Sequence, residues 1–217
     1  RQTYHHNLFA HHTSRNPKIT GRRHCKVDFR NNVIYNWGLN SCYDGTASHA
    51  NWANNYYKAG PGTSSKVRGR IFELKDDPIE PGGVNRPEDS EDYETSFYAE
   101  GNYVHGHPAI TADNWNGGIA LAGGATEAKN RAAVPFAYPA ITEQTAEAAY
   151  PLVAAKAGAS LARDVVDSRI ANEVLSGTVT YGNQGFVDSP ANVGGWPAYE
   201  SAVAPVDRDG DGMADAW

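Results

Sequence analysis

The sequence predicts an all-β fold of stacked coils that is followed by a helical and irregular tail. Its 217 residues include 22 Gly, 12 Tyr and 5 Trp, a composition typical of turn-rich β proteins whose strands carry aromatic side chains. An asparagine also recurs at the entry of four strand-like runs, at Asn7, Asn32, Asn55 and Asn102. Further along, this pattern gives way to alanine-rich stretches with helical periodicity.

The spacing of these asparagines favours a parallel β-helix. Consecutive positions lie 25, 23 and 47 residues apart, and the last gap is close to two of the shorter ones. Repeated coils would stack the asparagines, which hydrogen-bond to their counterparts and tolerate the left-handed backbone that tight turns need. The alternative is a β-sandwich with asparagine-rich turns, but sandwiches show turn signals every ~8–12 residues, a shorter unit than this one.

Composition divides the chain into three parts. Residues 1–120 are predicted to form the coils, interrupted by an acidic, Pro/Gly-rich insertion at about 75–95. Residues 121–205 are predicted to form the helical and irregular tail. We expect this tail to pack on the outside or the open end of the coils, where it protects strand edges from water. Residues 206–217 look like a truncated calcium loop.

Two helices are predicted in the tail. The first lies in "TEQTAEAAYPLVAAKAGAS", where Thr142 or Thr145 can cap it and Pro151 is expected to kink it or delay its start. The second lies in "ARDVVDSRIANEVLSG", between Asp164 and Gly177. Asp at the start and Gly after the end are typical helix boundaries.

Charge is distributed unevenly along the chain. Residues 1–75 contain 12 Lys and Arg against 3 Asp and Glu, whereas the remaining residues contain 7 against 22. A basic half indicates an anionic partner, although basic residues that alternate on exposed strand faces would give the same count. The sequence shows no nucleic-acid motif, and no apolar run approaches the ~20 residues that span a membrane.

The two cysteines fit two interpretations. Cys25 and Cys42 are the only cysteines, and they fit either one disulfide in a secreted protein or two small buried residues.

The chain begins without methionine or a signal-like stretch and stops at Trp217. We therefore expect a fragment of a longer protein. The upstream coils of that protein would be partners of the coils in this chain.

The stretch "DRDGDGMAD" carries a metal-site pattern. Acidic residues occupy positions 1, 3, 5 and 9 of a calcium loop, and a glycine occupies position 6, where the loop turns sharply; the acids are Asp207, Asp209, Asp211 and Asp215. The pattern predicts calcium binding that orders the tail or leads into a further domain. The alternative is a solvated acidic tail.

Several motifs together resemble bacterial pectate lyases of the first polysaccharide-lyase family. They are "HHNLFAHHTSRNPKI", "VDFRNNVIYNWG", "NNYYKAGPG", "ADNWNGG", "NVGGWP" and "DRDGDGMADAW". The resemblance implies a right-handed parallel β-helix, secretion, and cleavage of polygalacturonate-like polyuronates by β-elimination with calcium as cofactor.

The resemblance also implies site residues. In the R-x-P motif Arg15 would be the catalytic base, with Pro17 completing the motif. Because a guanidinium ordinarily keeps its proton, this role needs a cationic setting, which Lys18, Arg22 and Arg23 would supply while pairing with uronate carboxylates. The alternative is that Arg15 is an exposed loop arginine without a role in catalysis.

Two departures from the family pattern affect the function. Many relatives carry a second arginine three residues after the proline, where this chain has Thr20. The family's acidic calcium ligands come from coils upstream of this block, so the chain holds part of an active site, and we do not expect activity from it alone. Asp28 follows strand alternation and is interpreted as structural.

The adjacent histidines are interpreted as structural. His5 and His6, and likewise His11 and His12, would face opposite sides of a strand, so neither pair suits a single metal ion. The leading functional prediction is therefore a polysaccharide lyase. The alternative is a non-catalytic β-helix that binds carbohydrate or serves as a structural component.

Overall fold

The computed structural model describes residues 2–19, 25–77, 94–199 and 203–216. We use "coil" for a run of chain that contributes one strand to each of three sheets. The coils are β1 (Gln2–His5), β2 (Leu8–Ala10), β3 (Lys18–Ile19); β4 (Cys25–Arg30), β5 (Val33–Tyr35), β6 (Cys42–Asp44); β7 (Ser48–Ala53), β8 (Tyr56–Lys58), β9 (Phe72–Lys75); and β10 (Ser96–Glu100), β11 (Tyr103–Val104), β12 (Ile119–Ala122).

The strands stack in three parallel sheets. Sheet A has the order β1-β4-β7-β10, sheet B the order β2-β5-β8-β11, and sheet C the order β3-β6-β9-β12. Every named pair is parallel. The parallel stacking expected of a β-helix is thereby confirmed. Most of the predicted acidic insertion, residues 78–93, lies outside the described residues.

Aromatic rings fill the space between the sheets. The Phe29 and Trp52 rings stack with centroids 4.2 Å apart, and Trp52 also contacts Phe72 at 4.9 Å and Phe97 at 5.8 Å. All four side chains are buried. These rings come from the second, third and fourth coils, and the third supplies two of them, so the interior has a continuous apolar column.

The predicted asparagine ladder connects sheets A and B. The Asn32 amide Nδ2 donates to Asn55 Oδ1 at 3.1 Å, and Asn55 Nδ2 donates to Asn102 Oδ1 at 2.8 Å. Asn7 joins at one end through a 2.9 Å bond to Asn32. At the other end, Asn114 accepts from Asn102 at 2.9 Å, a fifth member that the repeat did not reveal because it lies on a loop only 12 residues further along.

A segment that we call the strap, residues 131–145, crosses the outer face of sheet A from the last coil towards the first. Asn51 pairs with the Phe136 backbone through two bonds of 2.9 Å, and Asn31 pairs with the Gln144 backbone through bonds of 2.7 and 3.0 Å. Each carboxamide thus replaces the backbone partner that an additional strand would have supplied. The strap begins after two short helices, α1 (Pro108–Ala112) and α2 (Glu127–Asn130).

Arg30 anchors the middle of the strap. Its guanidinium donates twice to Asp28 Oδ2, at 3.0 and 2.7 Å, and once to the Pro139 carbonyl oxygen at 2.9 Å. The Arg30 Cζ atom also lies 3.5 Å from the centroid of the Tyr138 ring. Both Arg30 and Asp28 are buried, so the interpretation of Asp28 as a structural residue agrees with its position.

Two longer helices cover sheet B. The first, α3 (Ala146–Lys156), follows its N-cap Thr145, and the second, α4 (Val165–Ser176), lies between the predicted caps Asp164 and Gly177. Pro151 does not delay α3, which continues through it. Apolar side chains of both helices pack against the outer side of sheet B in a cluster that includes Val33, Tyr35, Tyr56, Val153 and Val174.

Lys58 fixes the end of α4 to sheet B. Its Nζ donates to the carbonyl oxygens of Val174 and Leu175 at 2.8 and 2.9 Å. A cation at a helix C-terminus satisfies carbonyls that lack helical partners and complements the helix dipole. In the described part of the chain, no helix is long and apolar enough to cross a membrane.

Candidate active site

The candidate site lies on the outer face of sheet C. Strand pairing aligns Lys18 with Tyr43 and Tyr43 with Glu73. Their neighbours along the strands, Ile19 and Phe72, are buried. Because successive strand residues point to opposite faces, Lys18, Tyr43 and Glu73 form an outward row, one residue per coil.

Arg15 reaches this row from the loop between β2 and β3. Its Nε donates to the Tyr43 hydroxyl at 3.2 Å, and the side chain is exposed. The hydrogen bond uses Nε, so the two terminal amino groups are not engaged in it. Arg15 has φ 69, a left-handed conformation that is uncommon for a residue other than glycine. Seven other described non-glycine residues share it, most of them at turns between strands of the coils.

Asn16 holds the Arg15 loop on the neighbouring coil. It is buried, its backbone N–H donates to the Ser41 carbonyl at 2.7 Å, and its Nδ2 donates to the Asn40 carbonyl at 3.2 Å. The peptide bond between Asn16 and Pro17 is cis. The R-x-P motif is thus fixed at its central residue, which leaves Arg15 at a defined place beside Tyr43.

Lys18 lies close to the same tyrosine. Its Nζ is 3.3 Å from Asp44 Oδ2 and 5.6 Å from the centroid of the Tyr43 ring. The structure therefore brings Arg15 and Lys18 together around one phenol. Arg22 and Arg23, which were predicted to add positive charge here, lie outside the described residues.

A second ion pair, formed by Arg70 and Glu73, extends the site onto the next coil. Arg70 Nη1 is 2.5 Å from Glu73 Oε2, and Arg70 Nη2 donates to the Leu39 carbonyl at 2.9 Å. Sequence reasoning missed Tyr43, Arg70 and Glu73. The asparagine spacing held the signal for Tyr43, because the 25-residue step from Asn7 to Asn32 also leads from Lys18 to Tyr43.

His11 connects the Arg15 loop to α4. His11 Nε2 lies 2.7 Å from Glu173 Oε2, and Asn36 Nδ2 lies 2.9 Å from His11 Nδ1. Burial lowers the pKa of His11, against the opposing effect of the Glu173 carboxylate, and the positive charge of Arg169 lowers it further. A neutral imidazole accepts at Nδ1 from the Asn36 amide, whereas Nε2 faces the Glu173 carboxylate without hydrogen-bond geometry.

His6, His12 and the two cysteines make local contacts. His12 Nδ1 lies 3.1 Å from Asn16 Oδ1, and His6 Nε2 lies 2.6 Å from the Gln144 side chain. Cys25 and Cys42 are both free. The Cys42 thiol donates to the Asn16 carbonyl at 2.5 Å, and burial raises its pKa, as suits a small apolar residue beneath the Arg15 loop.

Three of the four predicted calcium-loop carboxylates lie together. Asp207, Asp209 and Asp215 each offer an oxygen within 4.8 Å of the others, and all three are exposed. The backbone N–H groups of Gly210 and Gly212 donate to Asp207 at 2.8 and 3.0 Å, and chiefly the bond from Gly212 lowers the pKa of Asp207. Three clustered carboxylates offer the oxygen ligands that calcium prefers, and Asp215 Oδ2 also lies 3.4 Å from Arg208 Nη1. Asp211 lies outside the trio.

Three fungal proteins, each named probable pectate lyase C, are similar to this chain. The Aspergillus terreus protein is 31% identical over 218 residues, the Emericella nidulans protein 30% over 219, and the Aspergillus flavus protein 31% over 219. Each comparison covers 96% of this chain and 44%, 43% and 44% of the respective relative. The chain therefore spans less than half the length of the curated relatives it matches. No protein-family model matches the chain.

The similarity supports the predicted relation to pectate lyases at the level of these named relatives. They are fungal, so the bacterial character and the first polysaccharide-lyase family stay predictions. The roles of Arg15, Lys18, Arg22 and Arg23 and of the calcium-loop acids also stay predictions.

Proposed function

We propose that this chain belongs to a secreted polysaccharide lyase that cleaves pectate-like polyuronates by β-elimination. The observation that carries the proposal is the position of Arg15, which is exposed and hydrogen-bonded to Tyr43 beside Lys18. The similarity to proteins named as pectate lyases supports the substrate class. We further propose that the parallel coils close as a right-handed β-helix of the first polysaccharide-lyase family.

The chemistry assigns a role to each residue of the site. Arg15 removes the proton from the carbon beside the uronate carboxylate. The electrons of that C–H bond form a double bond to the neighbouring carbon, and the glycosidic oxygen on that carbon leaves with the electron pair of the C–O bond and takes a proton from water. Negative charge develops on the carboxylate, where the Lys18 ammonium stabilises it. Because a guanidinium ordinarily stays protonated, we expect faster reaction in alkali.

The described acids nearest to Arg15 and Tyr43 are already engaged by cations. Asp44 is ion-paired with Lys18, and Glu73 is ion-paired with Arg70, so each already has its negative charge balanced by a neighbouring cation. A cation bound between substrate and protein would neutralise uronate carboxylates.

Replacing Arg15 tests the proposal. In the full-length natural protein, Arg15→Lys is expected to lower turnover of polygalacturonate by about 10²–10⁴-fold, the typical contribution of a general base. The ultraviolet absorbance of the unsaturated product measures it. Arg131→Lys is the control, because Arg131 is also exposed and pairs with Glu127 at 2.7 Å. Unchanged turnover in Arg15→Lys contradicts the assignment, and polymer binding without product from the unmodified protein indicates the non-catalytic alternative.

We also propose that the tail binds one calcium ion through Asp207, Asp209 and Asp215. Calorimetric titration with calcium chloride is expected to show one site, which Asp209→Asn weakens at least ~10-fold because one charged oxygen ligand is lost. Asp188→Asn is the control, since Asp188 is an exposed acid outside the trio. Equal calcium affinity in both variants rules the site out.

A further inference from the structure

The segment that follows α4 forms a wall beside the Arg15 loop. We define the wall as residues 178–188. The Tyr35 hydroxyl donates to the Thr178 carbonyl at 2.6 Å, and Asn36 Nδ2 donates to the Gln184 carbonyl at 2.8 Å. Asn36 is fully buried, so the wall is attached to the interior of the second coil and is part of the fold.

Two glycines make room for the wall. A Cβ atom on Gly38 would lie 3.3 Å from Phe186 Cζ, and one on Gly62 would lie 2.6 Å from the same atom. A side chain at Gly62 would displace the Phe186 ring. The connections between sheets B and C are therefore shaped to accept this ring, which holds the wall against the side of the coils where Arg15 lies.

An open cleft of about 580 Å³ lies between the wall and the Arg15 loop. Its lining side chains carry two hydroxyls, two aromatic rings, two carboxamides and one carboxylate, from Thr13, Tyr181, Phe186, Asn183, Gln184 and Asp188. Thr13 precedes Arg15 by two residues, and two residues of chain span at most about 7 Å. The cleft thus adjoins the loop that carries the proposed base.

The lining indicates what the cleft binds. Aromatic rings pack against the C–H faces of sugars, and carboxamides both donate to and accept from hydroxyls. Lys and Arg do not occur among the described lining residues, whereas Asp188 does. A uronate carboxylate would meet a like charge here. This contrasts with the surroundings of Arg15 and Lys18, where cations face the substrate.

We propose that this cleft is a subsite for an uncharged sugar unit, such as a methyl-esterified uronate, in the polymer whose bond is cleaved at Arg15. The proposal rests on the proposed function, because the polymer is assigned by it. The wall then determines which pattern of esterification the protein accepts next to the cleaved bond. Charged units lie beside Arg15 and Lys18, and the uncharged unit occupies the cleft.

Two variants of the full-length protein test the subsite. Tyr181→Ala is expected to raise KM for half-methylated polygalacturonate about tenfold, the loss expected for one aromatic contact, while KM for the unmethylated polymer and kcat for both stay unchanged. Asp188→Lys is expected to lower KM for the unmethylated polymer, because the cleft then favours a carboxylate. Tyr199→Ala is the control, since Tyr199 is 69% exposed and does not line the cleft.

The results separate this inference from the proposed function. If the unmodified protein releases no unsaturated product from either polymer, the proposed function fails. Calorimetric binding of a methylated oligouronate to the Tyr181→Ala and unmodified proteins then still decides whether the cleft binds sugar. If the unmodified protein is active and Tyr181→Ala changes KM for both polymers equally or for neither, the subsite is overturned.

Discussion

Arg15 donates from Nε to the Tyr43 hydroxyl across two successive coils, at 3.2 Å. The bond joins a loop residue to a strand residue 28 positions away. Tyr43 is anchored in sheet C between its partners Lys18 and Glu73, so it supplies a fixed point for a long side chain on a loop. A guanidinium that is held at one nitrogen loses less freedom on meeting a substrate.

Tyr43→Phe is therefore expected to lower kcat on polygalacturonate about tenfold, the effect of one hydrogen bond to a charged group. KM should stay nearly unchanged if the hydroxyl positions Arg15 and does not bind the polymer. Product absorbance in the full-length protein gives both constants. The control is Tyr4→Phe, which removes an exposed hydroxyl that donates to Gln2 at 2.8 Å. Equal kcat in the two variants would contradict the positioning role.

Asn55 is expected to be the most sensitive rung of the asparagine ladder. It is fully buried, its Oδ1 accepts from Asn32 N–H and Nδ2 at 2.9 and 3.1 Å, and its Nδ2 donates to Asn102 Oδ1 and the Phe29 carbonyl. Asn55→Leu breaks these four hydrogen bonds and removes the acceptor of the buried Asn32 N–H, whereas Asn32 Nδ2 keeps the Tyr4 carbonyl and Asn102 Oδ1 keeps the Asn55 N–H. The free energy of unfolding should fall by about 2–4 kcal/mol, because a buried polar group without a partner costs about 1–3 kcal/mol and the other broken hydrogen bonds add to this loss.

Urea denaturation measures this loss. The matched control is Asn7→Leu at the exposed end of the same ladder, where the removed amide donates to Asn32 and to the His5 carbonyl. Its loss should be about 1 kcal/mol or less, because water replaces the missing partner. Similar losses at both positions would show that burial of the ladder is not what makes it stabilising.

The ladder also shows how far the sequence determines the fold. Asparagine spacing predicted the stacking of Asn7, Asn32, Asn55 and Asn102, because each coil must return the chain to the same register. The helix boundaries at Asp164 and Gly177 were predicted from capping chemistry, which depends on neighbouring residues alone. Contacts made by irregular segments, such as the strap and the wall, follow no period and were not predictable.

The residues of the candidate site were likewise predictable only in part. Arg15 and Lys18 were predicted because they lie within one motif, and their chemical roles await the experiments above. Tyr43 and Arg70 come from later coils, and only three-dimensional stacking brings them to the motif. Residue type alone gave no reason to single them out, since tyrosines and arginines are frequent throughout the first 75 residues.

Removing Arg30 is expected to release the strap. Arg30→Met leaves the buried Asp28 carboxylate without its guanidinium, and the bond to the Pro139 carbonyl is also lost. Breaking one side of a buried ion pair costs about 3–5 kcal/mol. Limited proteolysis should then cut within residues 131–145 earlier than in the unmodified protein, and urea denaturation should show the reduced stability.

Two further variants sharpen the test of the strap. Asp28→Asn in the Arg30→Met background should recover part of the stability, because the unpaired buried charge is removed. Arg131→Met is the control, since Arg131 and its partner Glu127 are 44% and 49% exposed and such pairs contribute under about 1 kcal/mol. A proteolysis pattern that Arg30→Met leaves unchanged would show that the amide pairs of Asn31 and Asn51 suffice to hold the strap.

His11 is expected to make stability depend on pH. Burial lowers its pKa below the ordinary value of 6.5, so the unfolded chain takes up this proton before the folded chain does. The stabilising contribution is complete above pH 6.5 and is lost as the pH falls through 6.5 towards the lower folded pKa. The loss is at most about 1.4 kcal/mol per pH unit from one group.

The groups that face His11 are Glu173 and Arg169 from α4, His12 from its own loop, and Tyr35 from β5. The free energy of unfolding at pH 7.5 and pH 5.5 should differ less in His11→Gln than in the unmodified protein, because the titrating imidazole is gone. His105→Gln removes an exposed histidine and should retain the unmodified difference. If His11→Gln retains it as well, the acid sensitivity arises elsewhere, and the link between the Arg15 loop and α4 does not depend on the charge of His11.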